Sequence, residues 1–125
     1  MKYAFAFLAA LIVIGSALAQ QHKHADKGPN GGQMQDVAGV HAELLTSGNT
    51  LTLNIFDENN KPVPTKGFSA SALIAAGADK ETLNLSPSGE SALKADAKKP
   101  IAAGAAITVT LKTAAGKSGQ AKFSK

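Results

Sequence analysis

Apolar residues in this chain recur at every second position, in short runs, and that period constrains the fold more than any other feature. Leu51, Leu53 and Ile55 alternate with Thr50, Thr52 and Asn54, and Ile107, Val109 and Leu111 alternate with Thr108, Thr110 and Lys112. Val40, Ala42 and Leu44 alternate in the same way with His41, Glu43 and Leu45. Successive side chains of a strand point to opposite faces, so each run reads as a half-buried β-strand. Further strands are predicted over Phe68 to Ala76, over Glu81 to Leu85, around Leu93 and ending near Phe123. Turn formers separate the runs at intervals of about ten residues, which is the rhythm of an all-β sandwich or barrel. They are Asp57 to Pro62, Gly77-Ala78-Asp79, Pro87-Ser88-Gly89 and Ala115-Gly116-Lys117.

Two alanine-rich stretches, Ala70 to Ala78 and Ala92 to Ala106, carry helical propensity. Gly77, Pro100 and Gly104 interrupt them, and their Leu and Ile positions do not recur at helical spacing. The expected architecture is therefore all-β, an immunoglobulin-like β-sandwich of about seven strands.

The chain divides into three parts. Residues 1–19 have the form of a cleaved signal peptide: Lys2, an unbroken apolar run from Ala4 to Ile14, the looser Gly15-Ser16, and the small-residue site Ala17-Leu18-Ala19. The run is shorter than the roughly 20 residues needed to cross a bilayer. Residues 20–32 are polar, rich in Gly, Lys and His, and read as a flexible arm ending in the turn Gly28-Pro29-Asn30-Gly31-Gly32. Residues 33–125 form the β domain. The mature chain, from Gln20, suits one domain able to bury a core without staples, and with no cysteine no disulfide supports it.

The formal net charge of +4 comes from lysine alone, scattered among acids, and Phe56, Phe68 and Phe123 are the only aromatic residues after the signal peptide. A nucleic-acid reader would cluster arginine with stacking aromatics, so that class is set aside, and the basic excess reads as solubility.

The chemistry is concentrated near the N-terminus. All three histidines, His22, His24 and His41, precede residue 42. Cleavage after Ala19 would leave Gln20-Gln21-His22, a histidine third from a free amine. The amine, two backbone amides and the imidazole then offer four nitrogens in a plane, a set suited to Cu(II) or Ni(II) provided Gln20 does not cyclise. His22 and His24 share one side of an extended segment, and Asp26 continues it. His41 and Glu43 alternate with core positions, so both are expected on the outer face of their strand, close enough to chelate together; imidazole plus carboxylate suits Zn(II) or Cu(II). The plainer reading of that pair is an ordinary polar strand face.

Met34 offers a thioether to Cu(I), although apolar packing is the commoner use. The glycines of the turn do not form a phosphate-binding loop, which needs a preceding strand and a following helix. Enzymatic function is not expected. There is no cysteine nucleophile, two of the three histidines sit in the arm, and mobile arms lack the preorganised geometry that catalysis needs.

Gly28-Pro29-Asn30-Gly31-Gly32, a short strand, then His41-Ala42-Glu43-Leu44 resembles the N-terminal domain of periplasmic adaptor proteins of RND-type heavy-metal efflux pumps. That domain also occurs as small stand-alone periplasmic proteins, and Asp57 to Val63 resembles its later acid-to-Lys-Pro-Val turn. Asn30 stands where adaptor versions often carry His, and an amide is a poor transition-metal ligand. The resemblance implies a β-sandwich, a periplasmic location and a role with metal ions. The expected function is thus binding of copper, nickel or zinc by His22, His24, His41 and Glu43, with the arm folded back over the first two strands. The metal would be buffered or delivered to an efflux adaptor. The alternative is a metal-independent module that docks on another envelope protein through an edge strand or the turn.

Overall fold

The computed structural model describes residues 27–125. Residues 1–19, read as a signal peptide, the segment Gln20-Gln21-His22 expected to follow cleavage, His24 and Asp26 lie outside the described residues. Within them the chain is all-β, with eight strands and no helix. The strands are β1 (Gln33–Val37), β2 (Val40–Ser47), β3 (Thr50–Phe56), β4 (Ser69–Ala76), β5 (Asp79–Ser88), β6 (Ala92–Asp96), β7 (Ala106–Lys112) and β8 (Ser118–Ser124). The strand beyond the seven read clearly from periodicity is β1, whose QMQDV sequence is too short and polar to show a hydrophobic period.

All neighbours are antiparallel, in the spatial order β1-β2-β3-β6-β5-β4-β7-β8. Strands β4, β5 and β6 follow one another as a meander and β7 returns beside β4, which is a Greek key. The two ends of the sheet nearly meet. Ser124 N–H donates to Gln33 Oε1 at 3.1 Å, and Gly119 lies so close to Ala38 that an added Cβ would fall 2.8 Å from its nitrogen.

The long strand β5 turns the corner of this sheet. Its pairing with β4 ends at Leu85, opposite Ala70, and its pairing with β6 runs from Ser86 to Ser88. Pro87 was expected in a turn but lies in β5 opposite Leu93, and the turn comes at Gly89 and Glu90. Proline removes a ladder donor, yet beyond Leu85 one flank of β5 has no partner strand, so the loss is tolerated.

The alternating runs build the interior as their period demands. Leu51, Leu53 and Ile55 of β3, Leu93 of β6, and Ile107, Val109 and Leu111 of β7 are all fully buried. Ala70 and Ala72 of β4 face Leu85 and Leu83 on one side and Leu111 and Val109 on the other, so small residues sit among large ones. The alanine-rich segment is therefore a central strand, where its lack of bulk is what the interior requires.

Candidate functional site

Residues 28–32, grouped with the arm on sequence, close a small hairpin. Gly31 N–H donates to the Gly28 carbonyl at 2.9 Å, and Gly28 N–H donates to the Gly32 carbonyl at 2.7 Å. Lys27 bridges antiparallel to Gln33 just outside them. Pro29 and Asn30 keep negative φ while Gly31 takes +81°, which defines a type I turn followed by a left-handed residue, the common three-residue hairpin loop. Of the Asn30-Gly31 pair, only the glycine takes the left-handed conformation.

The loop folds over the outer face of β2, and Glu43 holds it there. Glu43 Oε2 accepts from Asn30 N–H at 2.8 Å and Gly32 N–H at 2.9 Å, while Oε1 accepts from Asn30 Nδ2 at 2.8 Å. The position of Glu43 on the His41 face follows from alternation, but its expected exposure does not hold: it is 0% exposed. Gly28 presses directly on the carboxylate, since a Cβ there would lie 2.3 Å from Glu43 Cδ. Both oxygens are taken up by backbone and amide donors and covered by the loop. This explains why glycine stands at 28 and 32, and why an amide serves at position 30.

His41 lies on the same face and has a different neighbour. The β1–β2 connection is the two-residue turn Ala38-Gly39, with φ of 52° and 82°, a combination that matches the right-handed twist of the strands it joins. It sets Asp36 opposite His41 and Met34 opposite Glu43. His41 Nδ1 lies 2.6 Å from Asp36 Oδ1, with the histidine side chain 29% exposed and the aspartate 65%. On the other flank His41 faces Phe56 of β3, which is buried. One edge of the ring is thus fixed between two strands while part of it remains open to solvent.

Met34 is buried on this outer face, apart from the main core cluster. His22 and His24 lie outside the described residues. Among the described residues no three His, Asp or Glu side chains gather closely enough to hold a metal ion. The pairing of Asp36 with His41 was not anticipated. Its signal was present in Asp36-Val37-Ala38-Gly39-Val40-His41, where a two-residue turn between valines places the ends of the segment opposite each other.

A shallow cleft of about 260 Å³ lies elsewhere, beside the β4–β5 turn and the segment before β7. Asp79, Lys80, Glu81, Lys98 and Lys99 line part of it in mixed charge, with no histidine or other soft ligand. It has no constellation to compare with the His41 face. Set against known protein families, curated proteins and solved structures, the chain finds no match among any of the three.

Proposed function

We propose that the chain is the precursor of a small periplasmic protein that binds a transition metal ion, copper, nickel or zinc, and buffers it or passes it to the adaptor of a heavy-metal efflux pump. It acts by binding rather than by catalysis. In this reading residues 1–19 are removed on export, and His22 and His24 join His41 as ligands. Glu43, first counted in that set, serves the turn instead, because its carboxylate already accepts three hydrogen bonds in a closed space. The finer form of the fold belongs to the same proposal: β1-β2-β3-β6 and β4-β7-β8 as the two layers of an immunoglobulin-like sandwich, with β5 changing partner between them.

The observation that carries this reading is the placement of His41. It sits on a rigid strand, partly open, beside the strand where the histidine-bearing segment enters the fold. Lys27 pairs with Gln33, and Asp36 lies three positions beyond Gln33 along β1. His24 lies three positions before Lys27. Strand rise is about 3.3 Å per residue, so an extended arm is long enough to bring His24 level with Asp36 and His41.

Titration of the mature protein with Cu(II) and Zn(II) tests the proposal. Tight one-to-one binding that weakens in both His41→Ala and His24→Ala is expected. Affinity no better than that of an isolated exposed histidine would end the metal reading.

The rigid turn supports a second reading. Two of its backbone N–H groups and the Asn30 side-chain amide donate to the Glu43 carboxylate, leaving Pro29, Asn30 and Gly31 exposed as a preformed surface for docking on an envelope protein. Periplasmic partners retained on the immobilised protein in the presence of chelator would favour docking, and their loss with chelator would favour the metal.

A further inference from the structure

We propose that Asn30 is a modification site held shut by Glu43: when the 28–32 turn opens, Asn30 deamidates through attack by the Gly31 nitrogen, and the carboxylate so formed keeps the turn from closing again. The site lies within residues 28–43 and is independent of whether the protein binds metal.

Asn30-Gly31 is the only asparagine–glycine pair of the chain; Asn49, Asn54, Asn59, Asn60 and Asn84 precede Thr, Ile, Asn, Lys and Leu. Glycine has no Cβ to hinder approach to its backbone nitrogen, so the intrinsic chemistry favours Asn30 over the others. The step is a cyclisation. The Gly31 nitrogen loses its proton to hydroxide and bonds to Asn30 Cγ, the Cγ–Nδ2 bond breaks, and ammonia leaves carrying a proton from water. Water then opens the five-membered imide at either carbonyl, which gives aspartate or isoaspartate at position 30. One water is consumed and one ammonia released, and no oxidant or reductant takes part.

Asn30 is exposed, so water reaches it and geometry alone withholds the reaction. Gly31 N–H donates to the Gly28 carbonyl at 2.9 Å, which holds the proton that must leave. Asn30 Nδ2 donates to Glu43 Oε1 at 2.8 Å and Asn30 N–H donates to Oε2 at 2.8 Å, which commits the side chain to β2 instead of leaving it free to close a ring. The charge of Glu43 also opposes the negative nitrogen that attack requires. Once formed, the product cannot resume this arrangement. A carboxylate has no donor, so oxygen faces Glu43 Oε1 where a hydrogen bond stood. Glu43 is fully buried, and two carboxylates sharing such a site cannot both remain charged. Isoaspartate adds a backbone carbon as well, which spoils the spacing of the turn. Opening is thereby made one-way.

The test follows amide-to-acid conversion at Asn30 in the mature chain, at mildly alkaline pH, by peptide mapping and mass spectrometry. Conversion should run at least about tenfold slower in the folded protein than in guanidinium chloride, the factor that one hydrogen bond to a charged group supplies. Glu43→Ala, which removes the acceptors, should bring the folded rate close to the unfolded one. Equal rates in folded and unfolded wild type would overturn the shielding, whether or not Glu43→Ala folds. Hydrogen exchange at Gly32 N–H, which donates to Glu43 Oε2, reads the second half of the proposal. Asn30→Asp, the product, should exchange this amide faster than Asn30→Ala, which removes the donor without adding charge, and both should exchange faster than the wild type. Exchange in Asn30→Asp no faster than in Asn30→Ala would overturn the one-way opening.

Discussion

At position 43 the physical chemistry of burial decides what a side chain is for. A carboxylate without water is tolerated only when donors replace its hydration, and here two backbone N–H groups and an amide do so. Glu43→Gln leaves one amide N–H₂ group facing donors until Asn30 reverses its own amide, and it loses the charge assistance on every bond. A loss of about 1.5–3 kcal/mol is expected, the range for hydrogen bonds to charged groups, and urea denaturation reads it directly. The neighbouring glycines should rank by what surrounds them. Gly31 has open space at its Cβ position but φ of +81°, so Gly31→Ala should lose about 1–2 kcal/mol from the left-handed backbone alone. A Cβ on Gly32 would run into the Leu44 carbonyl, and backbone cannot swing aside as a side chain can. Gly32→Ala should therefore be the more damaging change, and comparable denaturation midpoints for the two variants would contradict this account of the loop.

Among the elements, β3 supplies a fully buried stripe of the core and β1 supplies Asp36 beside His41 of β2, and these two strands differ in how clearly sequence announces them. Leu51, Leu53 and Ile55 are completely buried, as their alternation demands. Leu53→Ala should lose about 2–5 kcal/mol from lost apolar contact and the cavity left behind. Because Leu53 points to the opposite face from His41, the metal affinity of the folded fraction should stay unchanged, which titration below the melting range would check. Strand β1 has Gln33, Gln35 and Asp36 among its five residues, so it owes its place to pairing with β2 and to the turns at either end. Pro87 shows the limit of local rules in the other direction. It reads as a turn former, yet β5 runs through it because the neighbouring β4 has already ended its ladder.

For the molecule as a whole, the near-closure of the sheet brings residues far apart in sequence to one seam, with Gly119 against Ala38 and Ser124 bonded to Gln33. On the proposed reading, the histidine-bearing segment enters beside this seam, and metal would tie it to the folded body. A ligand that binds only the folded state stabilises it by RT ln(1 + [L]/Kd), about 2.7 kcal/mol at a hundredfold excess over Kd. Zinc or copper should accordingly raise the melting temperature of the mature protein by several degrees, and His41→Ala should remove most of that rise. An equal rise in His41→Ala would place the metal on the arm alone.

The sequence by itself determined the all-β class, most strand positions and the inward residues, because a period of two is a local property that burial enforces everywhere. It also determined that Glu43 and His41 share a face. Only the tertiary structure decided that they have different surroundings, since a loop thirteen residues earlier covers Glu43 and leaves His41 partly open. The partnership of His41 with Asp36 likewise depended on strand register. Periodicity tells which way a side chain points, but what it meets there is set by chain that arrives from elsewhere.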